Sequence, residues 1–171
     1  MEPSVESREL VLISGVPGTG KSEFARWLHD HHEFDLYETD GHDSKPPSTD
    51  WIFQHNKLVV EWGFPANEPY LSISIGLIQC WIDRGASHWW FDGDRGAART
   101  SYVNRGTVPE ALRKMGISPE RAWRAQVVEI DRNWPTIEAL FPPERQLYVI
   151  HAGPSGPTYR PKEEIYAEIF L

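Results

Sequence analysis

One octet constrains the chain more than any other stretch: Gly15-Val16-Pro17-Gly18-Thr19-Gly20-Lys21-Ser22. It follows the apolar run Leu10-Val11-Leu12-Ile13 and precedes a helical pattern opening Glu23-Phe24-Ala25. G-x-x-x-x-G-K-S between a strand and a helix is the Walker A pattern of a phosphate-binding P-loop. Glycines let the backbone curl so that consecutive N–H groups converge, and the following helix offers its positive N-terminus to an anion. In that setting Gly15 to Ser22 cradle the phosphates of a nucleotide, Lys21 adds a mobile positive charge for the outer ones, and the Ser22 hydroxyl holds Mg²⁺. The first strand, Glu9 to Ser14, is apolar almost throughout, which suits the buried centre of a parallel sheet.

Length and composition narrow the setting. A chain of 171 residues is most simply one domain, residues 1–171, with enough mass to bury a core. A formal net charge of -8 argues against a dedicated nucleic-acid binder, which carries a basic excess. The lone cysteine, Cys80, has no partner for an internal disulfide; its apolar neighbours point to a buried thiol in a reducing compartment. Apolar runs stay well short of the ~18 residues of a membrane span. The polar, acidic start (Met1 to Arg8) lacks the basic opening and apolar core of a secretory signal. A cytoplasmic protein, monomeric or homodimeric, is the expectation.

Strand and helix patterns alternate along the chain. Phe24, Trp27, Leu28 and His31 recur at helical spacing after the loop, and Phe34 to Glu38 reads as a short second strand. That strand runs into Thr39-Asp40-Gly41-His42-Asp43 and a polar connection, Ser44 to Asp50. Lys57 to Trp62 reads as a third strand after a short helix from Trp51 to Asn56. One helix from Trp51 to Trp62 is the competing reading, and Val-Val ahead of Gly63-Phe64-Pro65 favours the strand. Residues 67–84 carry Leu71, Ile75, Ile78 and Ile82 on one helical side. A fourth strand, His88 to Phe91, leads through Asp92-Gly93-Asp94 into a helix from Arg95 to Asn104, with a further helical piece from Pro109 to Met115. Ser118-Pro119 opens the next helix, with Trp123, Val127 and Ile130 inward and Arg121 and Arg124 outward. Gln146 to Ile150 is the fifth strand, Gly153 to Pro157 a rigid loop, and Pro161 to Phe170 a closing helix. The predicted fold is α/β, a parallel sheet with helices on both faces.

These pieces together resemble the small P-loop kinases: adenylate, gluconate and shikimate kinases and chloramphenicol phosphotransferase. Gly63-Phe64-Pro65 resembles the Asp-Gly-Phe-Pro turn of adenylate kinases. Trp90-Phe91-Asp92-Gly93-Asp94, a helix, and Asn104-Arg105-Gly106 resemble the fourth strand and lid entry of gluconate and shikimate kinases. The chain is also similar to short proteins labelled AAA-family ATPase or predicted kinase. The resemblance implies a three-layer P-loop NTPase fold with five parallel strands in the order 2-3-1-4-5 and a helical lid over about residues 95–120. It implies ATP and Mg²⁺ as cofactors, and adenine contacts from Gly153 and Pro157. Arg105 or Arg99 is then the lid arginine. Ser101 falls near the place where the family carries an additional arginine.

Phosphoryl transfer needs neutralising charge around the moving group, a metal bridge and a carboxylate near the acceptor hydroxyl. Asp40, at the carboxyl edge of the sheet where α/β folds bind ligands, is the candidate for the last role, with Asp43 its substitute. Glu61 ends the third strand beside the P-loop strand and is placed to hold Mg²⁺ through water. The acceptor pocket is expected near Asp40, Trp51 and Phe64, and Trp51 and Trp62 suit a flat or apolar acceptor. The reading is an ATP- and Mg²⁺-dependent phosphotransferase acting on a nucleoside or nucleotide, a sugar acid or an antibiotic-like hydroxyl. The alternatives are a regulatory ATPase working through a protein partner and a polynucleotide 5′-hydroxyl kinase. No His/Cys/Asp spacing matches a zinc site.

Overall fold

The computed structural model of the protein describes residues 7–42, 44–106 and 108–171. Strand β1 (Glu9–Gly15) is apolar at successive positions because both its faces are covered: Leu10 and Leu12 enter one core, Val11 and Ile13 the other. Helix α1 (Lys21–His32) follows, burying Phe24, Ala25 and Leu28 in the second core. Next come β2 (Asp35–Glu38), a 3₁₀ turn over Thr39–His42, the single-turn helix α2 (Thr49–Ile52) and β3 (Lys57–Glu61). The strand reading of residues 57–61 therefore holds over a continuous helix, and Leu58 and Val59 are fully enclosed.

Helix α3 (Tyr70–Asp83) buries Leu71, Ser74, Ile78 and Trp81. The expected stripe through Ile75 and Ile82 is thus rotated, and those two residues flank the buried line, half-covered. Trp81 decides the rotation: its ring packs 5.8 Å from that of Trp62, and its Nε1–H donates to Thr49 Oγ1 at 3.0 Å. Neighbouring helix positions lie about 100° apart, so burying Trp81 turns Cys80 outward. Cys80 is exposed, not the buried thiol its neighbours suggested.

Strand β4 (Ser87–Gly93) leads into α4 (Arg95–Arg105), whose first turn is capped by Asp94 Oδ1 accepting from Ala97 N–H at 2.8 Å. Helices α5 (Glu110–Lys114), α6 (Pro119–Arg132) and α7 (Trp134–Leu140) follow, with Pro135 restarting the chain after α6. The chain closes with β5 (Gln146–Gly153), β6 (Gly156–Tyr159) and α8 (Lys162–Phe170).

The sheet runs β2-β3-β1-β4-β5-β6, with the first five strands parallel in the expected order. It has six strands, not five, because the expected Gly153–Pro157 loop is a hairpin. Strand β5 continues past Ile150 to Gly153, and β6 returns antiparallel to it, pairing Gly153 with Gly156 and His151 with Thr158. Pro157 is tolerated there because β6 is an edge strand. Helices α1 and α8 cover one face, and α3, α6 and α7 the other, giving three layers. Since α1 and α3 leave β1 and β3 toward opposite faces, the carboxyl ends of these strands flank a crevice, the usual ligand position in such sheets.

Candidate active site

The loop between β1 and α1 is held in shape from outside. Gly15 lies against β4: a Cβ there would sit 2.2 Å from the Phe91 carbonyl oxygen. Gly18, at φ +90°, passes under α4, where a Cβ would meet the Ala98 carbonyl oxygen at 2.1 Å. Both approaches exclude any side chain.

The loop's carbonyls are all engaged up to Gly18. Lys21 Nζ donates to Gly15 O at 3.2 Å and Val16 O at 3.0 Å, and Thr19 Oγ1 donates to Val16 O at 2.7 Å. Trp123 Nε1–H, from α6, donates to Pro17 O at 2.9 Å. Tyr159 Oη, from β6, donates to Gly18 O at 3.1 Å; it also pairs with Ser101 Oγ, and its ring lies against Gly20. The N–H groups behave oppositely. Those of Gly18, Thr19, Gly20, Lys21 and Ser22 find no protein acceptor among the described residues. A run of unsatisfied N–H groups at the start of a helix is an anion site.

Around the loop lies a cavity of about 800 Å³. It gathers Lys21, Ser22, Asp40, Glu61, Phe64 and Arg105 from elements far apart in sequence. Lys21 is buried, and that loss of solvent lowers its pKa; Glu61 opposes the shift, Arg105 adds to it, and Asp40 opposes it. Glu61 is 5% exposed, and burial pushes its carboxyl up to about 7, against the attraction of Lys21 and with a push from Asp40 and Glu38. Lys21, Asp40, Glu61 and Arg105 thus share one cavity wall. Ser22 Oγ and the Glu61 carboxylate make no hydrogen bond to protein among the described residues, so both are free for a hard cation, for which oxygen donors are the right chemistry. No cluster of three or more His, Cys, Asp or Glu suited to a metal occurs among the described residues.

Other sequence candidates stand elsewhere. Arg99 is outside the cavity lining, bound two-pronged to Glu120 at 2.6 and 3.0 Å. Trp51 is also outside it, packed against Tyr37 and His55. Trp62 is sealed in the core against Phe64 and Trp81. In the hairpin Gly153 pairs with Gly156 and Pro157 with Ala152, and neither Gly153 nor Pro157 lines the cavity; β6 reaches the loop through Tyr159 instead. Asp43 lies outside the described residues. Conversely, Trp90, Tyr102, Val108, Leu112 and Gln126 line the cavity without having been singled out for it. Trp90 carried a signal, an aromatic on an inward position of the strand beside β1. Nothing in the sequence marked Trp123 or Tyr159 as loop clamps, because their partners are backbone carbonyls more than 100 residues away.

The comparison with solved structures fits this geometry. A gluconokinase from Sinorhizobium meliloti 1021 superposes with a TM-score of 0.50 at 15% identity, over 95% of this chain and 89% of its own. This chain shares that fold. A shikimate kinase from Bacteroides thetaiotaomicron aligns over 74% of this chain and 80% of its own, with a TM-score of 0.49 and 9% identity. No protein-family model and no curated protein sequence matches the chain. No described helix is long and apolar enough to cross a membrane.

Proposed function

We propose that the protein is a small-molecule kinase that moves the γ-phosphoryl group of ATP to an acceptor hydroxyl. The observation that carries this reading is the run of N–H groups from Gly18 to Ser22, unsatisfied while every carbonyl from Gly15 to Gly18 is engaged. The loop is built to receive phosphate oxygens, not to satisfy itself. The cavity beside it has room for an acceptor next to the terminal phosphates.

The roles follow from position. Lys21 leaves its carbonyl contacts for the outer phosphates, and Arg105 neutralises charge on the moving group from the end of α4. Asp40, exposed on the cavity wall, receives the acceptor hydroxyl's proton. Mg²⁺, when bound through Ser22 and, by way of water, Glu61, supplies further neutralisation of phosphate charge. Residues 95–120, which bear Arg105 and adjoin the loop, serve as the lid. The chain works as one domain in the cytoplasm.

The test is ATP-dependent formation of a monophosphorylated product from a metabolite panel, read by mass spectrometry beside ADP release. The expected result is product with the native chain and at least ~100-fold less with Lys21→Ala. ADP release at a rate indifferent to every acceptor would refute the kinase reading and favour a regulatory ATPase.

A further inference from the structure

Tyr102 is enclosed in the cavity wall, 3% exposed, and its hydroxyl is only half used. Gln126 Nε2, from α6, donates to Tyr102 Oη at 3.3 Å and to Ala122 O at 3.0 Å. The second bond fixes which way the amide lies: a carbonyl can only accept, so the group facing Ala122 O is the NH₂. The phenol oxygen is therefore the acceptor in its pair with Gln126, and its hydrogen meets no acceptor among the described residues. A buried hydroxyl hydrogen left without a partner is costly, and in the wall of a ligand cavity it marks a place for a ligand oxygen.

The position of the ring selects that oxygen. Ala98, Tyr102 and Arg105 follow one another along one face of α4. Ala98 and the Tyr102 Cβ crowd Gly18, the first residue of the unsatisfied N–H run. The Arg105 guanidinium lies 5.7 Å from the centre of the Tyr102 ring and lines the same cavity. The ring thus stands between the start of the anion site and the arginine. A terminal phosphate seated on the loop N–H groups and reaching Arg105 passes the phenol.

We propose that Tyr102 is a further catalytic residue, whose hydroxyl donates a hydrogen bond to a non-bridging oxygen of the γ-phosphoryl group. This deepens the kinase reading and rests on it. The phenol keeps its proton throughout. The γ-phosphorus exchanges its bond to the β,γ-bridging oxygen for one to the acceptor oxygen, ADP leaves with the bridging oxygen, and the acceptor's proton passes to Asp40. Because Gln126 holds the phenol oxygen, the donor is fixed before the phosphoryl group moves and needs no reorganisation. ADP lacks the group that this donor meets and gains nothing from it.

Tyr102→Phe keeps the ring against Gly18 and Arg105 and removes only the hydroxyl. Calorimetry on the full chain with Mg²⁺ compares β,γ-imido-ATP with ADP. The variant is expected to bind the imido analogue at least ~10-fold more weakly than the native chain does, and ADP within ~2-fold of it. Native-strength ADP binding also shows that the loop is intact in the variant. In the phosphoryl-transfer assay kcat is expected to fall at least ~10-fold. Equal weakening of both nucleotides would overturn the inference. So would unchanged binding of both, even with less product, since the hydroxyl would then serve the acceptor. Either result leaves the kinase reading intact as long as the native chain forms product. Selective weakening of the imido analogue in a chain that phosphorylates nothing would do the reverse, keeping the γ-phosphoryl contact and removing the kinase reading.

Discussion

Burial makes the charge of Glu61 costly when no ligand is present. Its carboxyl is 5% exposed, and burial raises its pKa from the ordinary 4.5 to about 7 despite the nearby Lys21. Each pKa unit is worth about 1.4 kcal/mol, so ionising Glu61 in the folded chain costs roughly 3 kcal/mol more than in the unfolded one. The sign follows from proton counts. Between pH 4.5 and 7 the folded state holds a proton that the unfolded state has lost, so stability falls as pH rises through that window. Below it the carboxyl is protonated in both states and the penalty vanishes; above it the penalty is complete. Glu61→Gln keeps the shape and removes the ionisation. Urea denaturation of both proteins, in EDTA and without nucleotide, reads this effect, because titrating groups not coupled to Glu61 cancel in the difference. The variant is expected to match the native chain near pH 4 and to exceed it by about 3 kcal/mol at pH 8. A difference that stays flat, or runs the other way, refutes the placement of an ionisable Glu61 in a desolvated site.

Three further substitutions probe the loop and its surroundings. Trp123→Phe deletes the donor to Pro17 O; it should cost about 1–2 kcal/mol in urea denaturation and weaken ADP binding by calorimetry. Asp94→Ala removes the α4 cap; the expected loss is about 1 kcal/mol, largely restored by Asp94→Asn, both read from urea midpoints. Arg105→Ala should lower kcat for phosphoryl transfer at least ~100-fold, whereas Arg99→Ala, which breaks the pair with Glu120, should change it little in the same steady-state assay.

The fold was largely legible because its signals are local. The octet from Gly15 to Ser22 announces a strand-to-helix turn, and the apolar run of β1 announces burial on both faces, which Leu10/Leu12 and Val11/Ile13 then divide between two cores. The missed features depend on partners distant in sequence. The turn of the α3 stripe is set by Trp81 meeting Trp62 and Thr49, and no spacing within α3 encodes that choice over Ile75 and Ile82. The sixth strand was hidden because Gly-Pro-Ser-Gly-Pro reads as a loop, yet Gly153 and Gly156 fit the close of a hairpin on an edge where proline does no harm.

The site divides along the same line. Backbone N–H groups at a helix start follow from the octet itself, so the shape of the loop was readable in sequence, whereas the expected contacts from Gly153 and Pro157 were not met at the cavity. What keeps those groups unsatisfied is not in the octet. Trp123 from α6 and Tyr159 from β6 occupy the carbonyls on either side of the loop's bend, so the peptide groups between Pro17 and Thr19 cannot turn over without breaking a hydrogen bond to a separate element. Preorganisation of this kind lowers the cost of receiving an anion, because the loop need not be ordered when phosphate arrives. The acceptor half lacks any such local signature. Trp51 precedes β3 and Phe64 follows it, yet Trp51 packs against Tyr37 and His55 while Phe64 faces the cavity beside Trp90. Strand order brings Trp90 there: β4 lies directly against β1, and its aromatic side chains alternate between the two cores, giving Trp90 to the face that carries the cavity. On the proposed function, the acceptor side is therefore set by the packing of the sheet's second face, and the phosphate side by eight consecutive residues.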